Sequence, residues 1–266
     1  MTIALSPRST SSFGFSSIAT TPVVSYNTHY TAHVYIEMQL LVLGGSGRTG
    51  QLIIEEAISK GHNVVALVRS PSSLAAWPGL TVTQGTPMKR EDIKRAFGAS
   101  STPPDAVLVA LSLKRVSDSP FAAVSPDAPT RITDRNVAVE DSVANAISVM
   151  KDFGTKRITI MSQWGAGNSF NSMSFLFRAM FQHTNMKYGL AAHNALDEET
   201  RQADVEFVLV RACILADGEP AAVRIFPDDG KSIGFIPKIT RASVAEFMVE
   251  ACEKGDFVGK SPVISN

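Results

Sequence analysis

From Met38 onward, short apolar runs of strand length alternate with segments whose apolar residues recur at helical spacing. Strands are expected at Gln39–Leu43, Val64–Val68, Leu80–Thr83, Ala106–Leu111, Arg157–Met161 and Glu206–Arg211. Between them the pattern predicts helices over Thr49–Lys60, Arg90–Phe97, Val137–Phe153 and Lys187–Gln202. The first of these carries Leu52, Ile53, Ala57 and Ile58 on one side, and Gly61 follows it as a C-terminal cap. After Ala216 the pattern loosens into a short strand pair and a last helix, Val244–Glu253, with Val244, Phe247, Met248 and Ala251 on one face. Such alternation predicts an α/β fold, a Rossmann-type doubly wound parallel sheet with a small C-terminal substrate-side lobe.

Three stretches break the alternation. Residues 1–37 are rich in Ser and Thr, hold a single early Arg8 and show no apolar periodicity, so they are expected to be a disordered extension. They read either as a transit peptide or as an extension upstream of a chain starting at Met38, and one arginine without an amphipathic helix favours the second. The rest, 38–266, is expected to be one dinucleotide-binding domain. Its irregular stretch at about 113–135 holds three prolines and is expected to be a binding loop over the carboxyl edge of the sheet. The insert at 169–186, with Phe170, Met173, Phe175, Leu176, Phe177, Met180 and Phe181, is too apolar for a solvated loop. It either walls a substrate pocket or makes a homodimer contact. A third substrate-side element is expected at about 217–243.

Composition narrows the partners. Lys plus Arg and Asp plus Glu each total 25, so no net field draws this 266-residue chain to nucleic acid or an anionic membrane. A small molecule is the expected ligand. No apolar run nears the ~20 residues that span a bilayer. The two cysteines, Cys213 and Cys252, lack zinc-ligand spacing, fit small buried apolar positions and point to a reducing, cytoplasmic compartment, and no metal site is expected.

The sharpest chemistry lies in Gly44-Gly45-Ser46-Gly47-Arg48-Thr49-Gly50, between an apolar strand and an amphipathic helix. Gly44 permits the tight turn, Gly47 lets the backbone approach a pyrophosphate, and Gly50 lets helix and strand pack closely. The pyrophosphate then meets the free N–H groups and positive dipole end of the helix. At the end of the second strand, where an acid would select a ribose 2′-hydroxyl, stand Arg69 and Ser70. With Arg48 they suit a 2′-phosphate, so NADP(H) is the expected cofactor.

The string MQLLVLGGSGRTGQLIIEEAISKGHNVVALVRSPSSL resembles the atypical short-chain dehydrogenase/reductase superfamily, in particular its NmrA-like and flavin-reductase-like NAD(P)H-binding branch. KRITIMS at 156–162, EFVLVR at 206–211 and ITRASVA at 239–245 fit the same branch. Similar fungal proteins, the averufin-oxidase-like group, tailor aromatic polyketides. Where relatives carry Gly-Asp after the third strand and Arg-Pro after the sixth, this chain has Gly85-Thr86 and Arg211-Ala212. Thr86, through its hydroxyl, together with Ala110, Leu111 and Ser162, completes the expected cofactor-binding set.

The superfamily pairs a Tyr with a Lys four residues later, so that the ammonium lowers the pKa of the phenol. Counted back from Arg211, those positions are Gly189 and His193 here, with Tyr188 one residue off. Either the helix begins after Tyr188, leaving its ring free to swing inward, or the protein does without the phenol. Ser162 is expected to leave the fifth strand near the nicotinamide, and His193 to bond the nicotinamide ribose or shuttle a proton near neutral pH. Trp164, Phe170 and Phe177 are the expected pocket lining. Asp197, Glu198 and Arg201 read as a solvated helix face. The resemblance implies an NADPH-dependent oxidoreductase for a small aromatic or conjugated carbonyl or quinone-like substrate. A non-catalytic NADP-binding sensor and an isomerase or lyase on the same fold are the rival classes.

Overall fold

The computed structural model describes residues 37–111, 119, 121–122 and 142–266. The N-terminal extension up to residue 36, most of the proline-bearing stretch at 113–135 and the start of the helix expected from Val137 lie outside the described residues.

Five nearly all-buried strands carry the core: β1 (Gln39–Leu43), β2 (Asn63–Val68), β4 (Ala106–Val109), β5 (Arg157–Gln163) and β6 (Glu206–Ala212). Runs of Val, Leu and Ile suit strands covered on both faces. With the more exposed edge strand β3 (Leu80–Gln84) they form the order β3-β2-β1-β4-β5-β6, every neighbour parallel. Four shorter strands follow, β7 (Ile214–Ala216), β8 (Arg224–Phe226), β9 (Lys238–Thr240) and β10 (Val263–Ser265). Here the structure adds to the pattern-based expectation. β10 joins β6 in parallel and β8 closes the 8-stranded sheet antiparallel to it, while β7 and β9 pair by themselves as a parallel two-stranded sheet.

Helices cover both faces. α1 (Arg48–Ser59) packs beside α6 (Arg241–Lys254) over one face, whose core includes Leu40, Val42, Ala66, Val208 and Val210. Over the other face α2 (Arg90–Phe97), α3 (Ser142–Phe153) and α5 (Met186–Gln202) meet Leu41, Leu43, Val107, Ile158, Ile160 and Leu209. Alternate residues of each strand therefore feed different cores. The helix ends follow local chemistry. Gly61 takes φ 85° just past α1, Thr240 accepts the Ser243 N–H at the start of α6, and Gly255 ends α6 at φ 65°.

The apolar insert is helical. A 3₁₀ turn at Gly167–Ser172 leads into α4 (Phe175–His183), and Met173 and Phe181 bury against the rest of the domain while Phe175 and Leu176 stay exposed. Strand order reverses between β1 and β4. That switch point opens a crevice at the carboxyl edge, the place where ligands of such sheets bind.

Candidate active site

The glycine loop fills the crevice between β1 and β4. A Cβ on Gly44, at φ 88°, would lie 2.5 Å from the Ala110 carbonyl oxygen, and one on Gly50 would lie 2.1 Å from the Gly44 carbonyl oxygen. Only glycine lets strand, loop and helix approach this closely. The Gly47 N–H closes the turn on the Gly44 carbonyl at 3.0 Å, and no side chain caps α1 at Gly47. First-turn N–H groups left without a cap suit an anion. Ser46, Gly47 and Arg48 are exposed at the rim, and Thr49 is buried beneath them.

The remaining cofactor-side residues rim the same edge. Arg69 and Ser70 lie exposed just past β2, where Ser70 opens a short 3₁₀ turn and accepts the Ser73 hydroxyl through its carbonyl. Arg48 approaches Asp217, 3.6 Å away, and Asp217 also pairs with Arg241 at 2.5 Å, so the rim of the C-terminal lobe meets the glycine loop. After β3 the Thr86 N–H donates to Asp92 at 2.9 Å, a bond that holds the Asp92 carboxyl below its usual range. A side chain on Gly85 would collide with Asp92, which explains the glycine there. Ala110 is buried, and Leu111 is half-buried behind the loop. This set fits a dinucleotide: Gly44–Gly50 would hold the pyrophosphate, Arg48, Arg69 and Ser70 the adenosine end, and Ser162 the nicotinamide end. When bound, such a cofactor supplies or accepts hydride.

At that nicotinamide end β5 runs two residues beyond its expected stop, so Ser162 sits within the strand. It pairs in register with Arg211 of β6. Both follow Ile158, Ile160, Phe207 and Leu209 in alternation and share the face covered by α5. Ser162 is 3% exposed and its Oγ has no hydrogen-bond partner.

Arg211 is a buried charge that sequence patterning missed. Fully excluded from solvent, it donates to Asp197 of α5 at 2.5 Å, to the Asp228 carbonyl at 2.5 Å and to Asn168. Asp197 also accepts from Arg201. The expectation of a solvated face for Asp197 is therefore corrected: tertiary pairing turns it inward, while Glu198 and Arg201 remain exposed. An arginine ending a strand of otherwise apolar residues was the available signal, and a carboxylate to match it was the thing to seek.

His193 lies one turn before Asp197 on the same side of α5. Because α5 crosses back antiparallel to β5 and β6, that turn carries His193 beyond the strand ends, toward the crevice. Its Nδ1 is sealed from water and unpartnered, and burial pushes its pKa down to about 4. At that value the imidazole is neutral at pH 7. It also does not pair with Asp197, which the two arginines occupy.

Tyr188 is not brought to this corner. α5 begins at Met186, so the ring lies inside its first turn, 40% exposed, with the Lys187 ammonium 5.2 Å from its centroid. Five residues place it about 140° round the helix from His193. Gly189, at the superfamily's tyrosine position, faces open space. Trp164 is 3% exposed, donates its indole N–H to Ser172 at 2.8 Å and meets Phe177 edge-on at 5.8 Å. Phe170 and Phe177 are half-buried against the same core. The three form one apolar wall beside β5.

Comparisons agree with this architecture. Among solved structures, the chain is similar to ChuY, an anaerobillin reductase from Escherichia coli (TM-score 0.64, 14% identity, 85% of this chain and 96% of that one). It is also similar to a short-chain dehydrogenase/reductase from Veillonella parvula in complex with NADP (TM-score 0.63, 13% identity, 87% and 95%). At such identities the likeness concerns the fold. Among curated proteins, 85 residues are 40% identical to the photosystem II assembly factor Ycf39 of Synechocystis, covering 31% of this chain and 24% of that protein. A further 165-residue match, 26% identical and covering 59% and 36%, is to the chloroplastic divinyl chlorophyllide a 8-vinyl-reductase of Arabidopsis thaliana. The matched segments thus span about a quarter and about a third of those relatives' lengths. The sequence model of one family matches residues 44–254, from the glycine loop through α6. The chain belongs to the NAD(P)H-binding family.

Proposed function

We propose that this protein is an NADPH-dependent oxidoreductase that acts on a small aromatic or conjugated carbonyl or quinone-like substrate. The observation that carries the reading is the end of the sheet where α5 covers β5: Ser162 Oγ and His193 Nδ1 are both buried and unpartnered. Burying a polar atom without a partner costs about 1–3 kcal/mol. A ligand that supplies partners recovers that cost. Ser162 donates to the reacting oxygen, and His193, neutral, orients ribose or substrate through a hydrogen bond. Arg69, with Arg48, recognises the 2′-phosphate. The insert 167–183 excludes water beside the nicotinamide.

Two of the proteins this chain is similar to are named as reductases, an anaerobillin reductase and a divinyl chlorophyllide a 8-vinyl-reductase, which supports the reductase reading. Aromatic ketones and quinones of the kind tailored in polyketide pathways belong to the proposed substrate class. A cytoplasmic location, where NADPH is kept reduced, accords with this reading. The outward placement of Tyr188 favours one rival, an NADP-binding sensor without turnover.

NADPH consumption across aromatic ketones, quinones and linear tetrapyrroles tests the proposal. A proton donor in the transition state is typically worth ~100- to 10,000-fold. Ser162→Ala is expected to lower turnover by at least ~100-fold with NADPH affinity kept, and Tyr188→Phe by less than about tenfold. A Tyr188→Phe variant that loses all turnover would restore the phenol mechanism.

A further inference from the structure

Ser162 and Arg211 are register partners on adjacent parallel strands, on one face, one residue before the carboxyl ends of β5 and β6. Each carries a buried hydrogen-bond donor without an acceptor: the Ser162 hydroxyl and the Arg211 Nε–H. The two Nη groups of Arg211 are engaged by Asp197, Asn168 and the Asp228 carbonyl, so its plane is fixed and the Nε–H cannot turn to find another partner. Asp197, the carboxylate facing this guanidinium, is shared with Arg201. One negative charge thus serves two positive ones. The cluster keeps a net positive charge beside two unused donors, and this combination suits an oxygen that becomes negative.

We infer that Ser162 and Arg211 form an oxyanion site, in which the Ser162 hydroxyl and the Arg211 Nε–H receive the carbonyl oxygen of the substrate. The inference rests on the oxidoreductase reading and deepens it by assigning the substrate's oxygen a place. A bound dihydronicotinamide would supply the hydride and be oxidised, the hydride going to the carbonyl carbon or to the far carbon of an enone. As that C–H bond forms, the C=O π pair moves to oxygen as an alkoxide or enolate. The Ser162 hydroxyl and the Arg211 guanidinium hold that charge, and a proton from water completes the product. No phenol is required, which accounts for a chain that has Gly189 at the tyrosine position and turns Tyr188 outward. Arg211 has been available for this role because its charge is anchored from three elements at once, the 3₁₀ turn at 167–172, α5 and the segment after β8.

The test uses para-nitrophenol bound to the protein–NADP⁺ complex, since its phenolate absorbs differently from the phenol and reports how well a site holds an anionic oxygen without any turnover. The wild type is expected to bind it as phenolate and to lower its apparent pKa. Ser162→Ala and Arg211→Lys should each diminish that shift when it is read at saturating NADP⁺ for each variant. Arg211→Lys keeps the charge facing Asp197 and removes the Nε–H, and circular dichroism and melting confirm that it folds. Ser162→Ala, the safer change for folding, gives the answer independently if Arg211→Lys does not fold. With a substrate found by the NADPH panel, both variants should lose about 100- to 1,000-fold in kcat, the typical effect of removing one oxyanion donor. An unshifted phenol, or a shift that both variants retain, overturns the inference. If the panel finds no substrate yet the phenolate shift depends on Ser162 and Arg211, the oxyanion site stands and the reductase reading fails.

Discussion

An imidazole whose Nδ1 is sealed from water and unpartnered stays neutral because burial penalises its charged form, and that has a consequence for stability. His193 has a folded-state pKa of about 4, against an ordinary value of 6.5. Between those values the unfolded chain binds the proton and the folded one does not. Stability therefore falls as pH drops from about 6.5 toward 4, and the sign is that of a group protonated only on unfolding. At about 1.36 kcal/mol per pKa unit the full loss is about 3 kcal/mol. Melting curves at descending pH are expected to show a steeper acid decline in the wild type than in His193→Gln, which has no group to titrate there. Equal declines would mean that His193 is solvated.

Elements are held by a few polar ties across an apolar framework. Arg211 links β6 to α5 through Asp197, and removing one partner of a buried pair leaves an uncompensated charge. Asp197→Ala is expected to destabilise the fold by about 3–5 kcal/mol, read from urea melts. Arg201→Ala, at an exposed side chain, should cost less than about 1 kcal/mol. Comparable losses for the two would show that the buried pair carries no special weight. At the other end of the crevice, just past the second strand, Arg69 is where the proposed choice of NADPH over NADH would be made. A guanidinium offers a 2′-phosphate a bidentate partner that a 2′-hydroxyl cannot use. Arg69→Asp should weaken NADPH binding by about 1.5–3 kcal/mol in titration calorimetry and spare NADH. Unmodified protein binding both cofactors equally would contradict this.

Across the whole molecule, the strands β1, β2, β4, β5 and β6, the helices between them and the glycine loop are legible in the sequence. Their apolar runs and helical spacing are local signals, and a loop of Gly44, Gly47 and Gly50 has few physical alternatives. What stays hidden depends on tertiary neighbours. Asp197 turns inward because Arg211 is there to meet it, and neither residue's periodicity announces the other. β10 is too short to signal itself and forms because β6 offers an open edge. The sealing of His193 Nδ1 from water depends on neighbours outside α5 and is not announced by its place in the helix. Ser162 was legible as a candidate, but its register with Arg211 was not. Among the described residues no helix is long and apolar enough to cross a membrane. The central claim is that this crevice transfers hydride. It is tested most directly by mixing stoichiometric protein and NADPH with the best acceptor from the panel and following NADPH absorbance through a single turnover. Loss of one equivalent of NADPH in the wild type, slowed at least ~100-fold in Ser162→Ala, is the expected result. NADPH that binds tightly and remains reduced with every acceptor would contradict the account and identify a sensor.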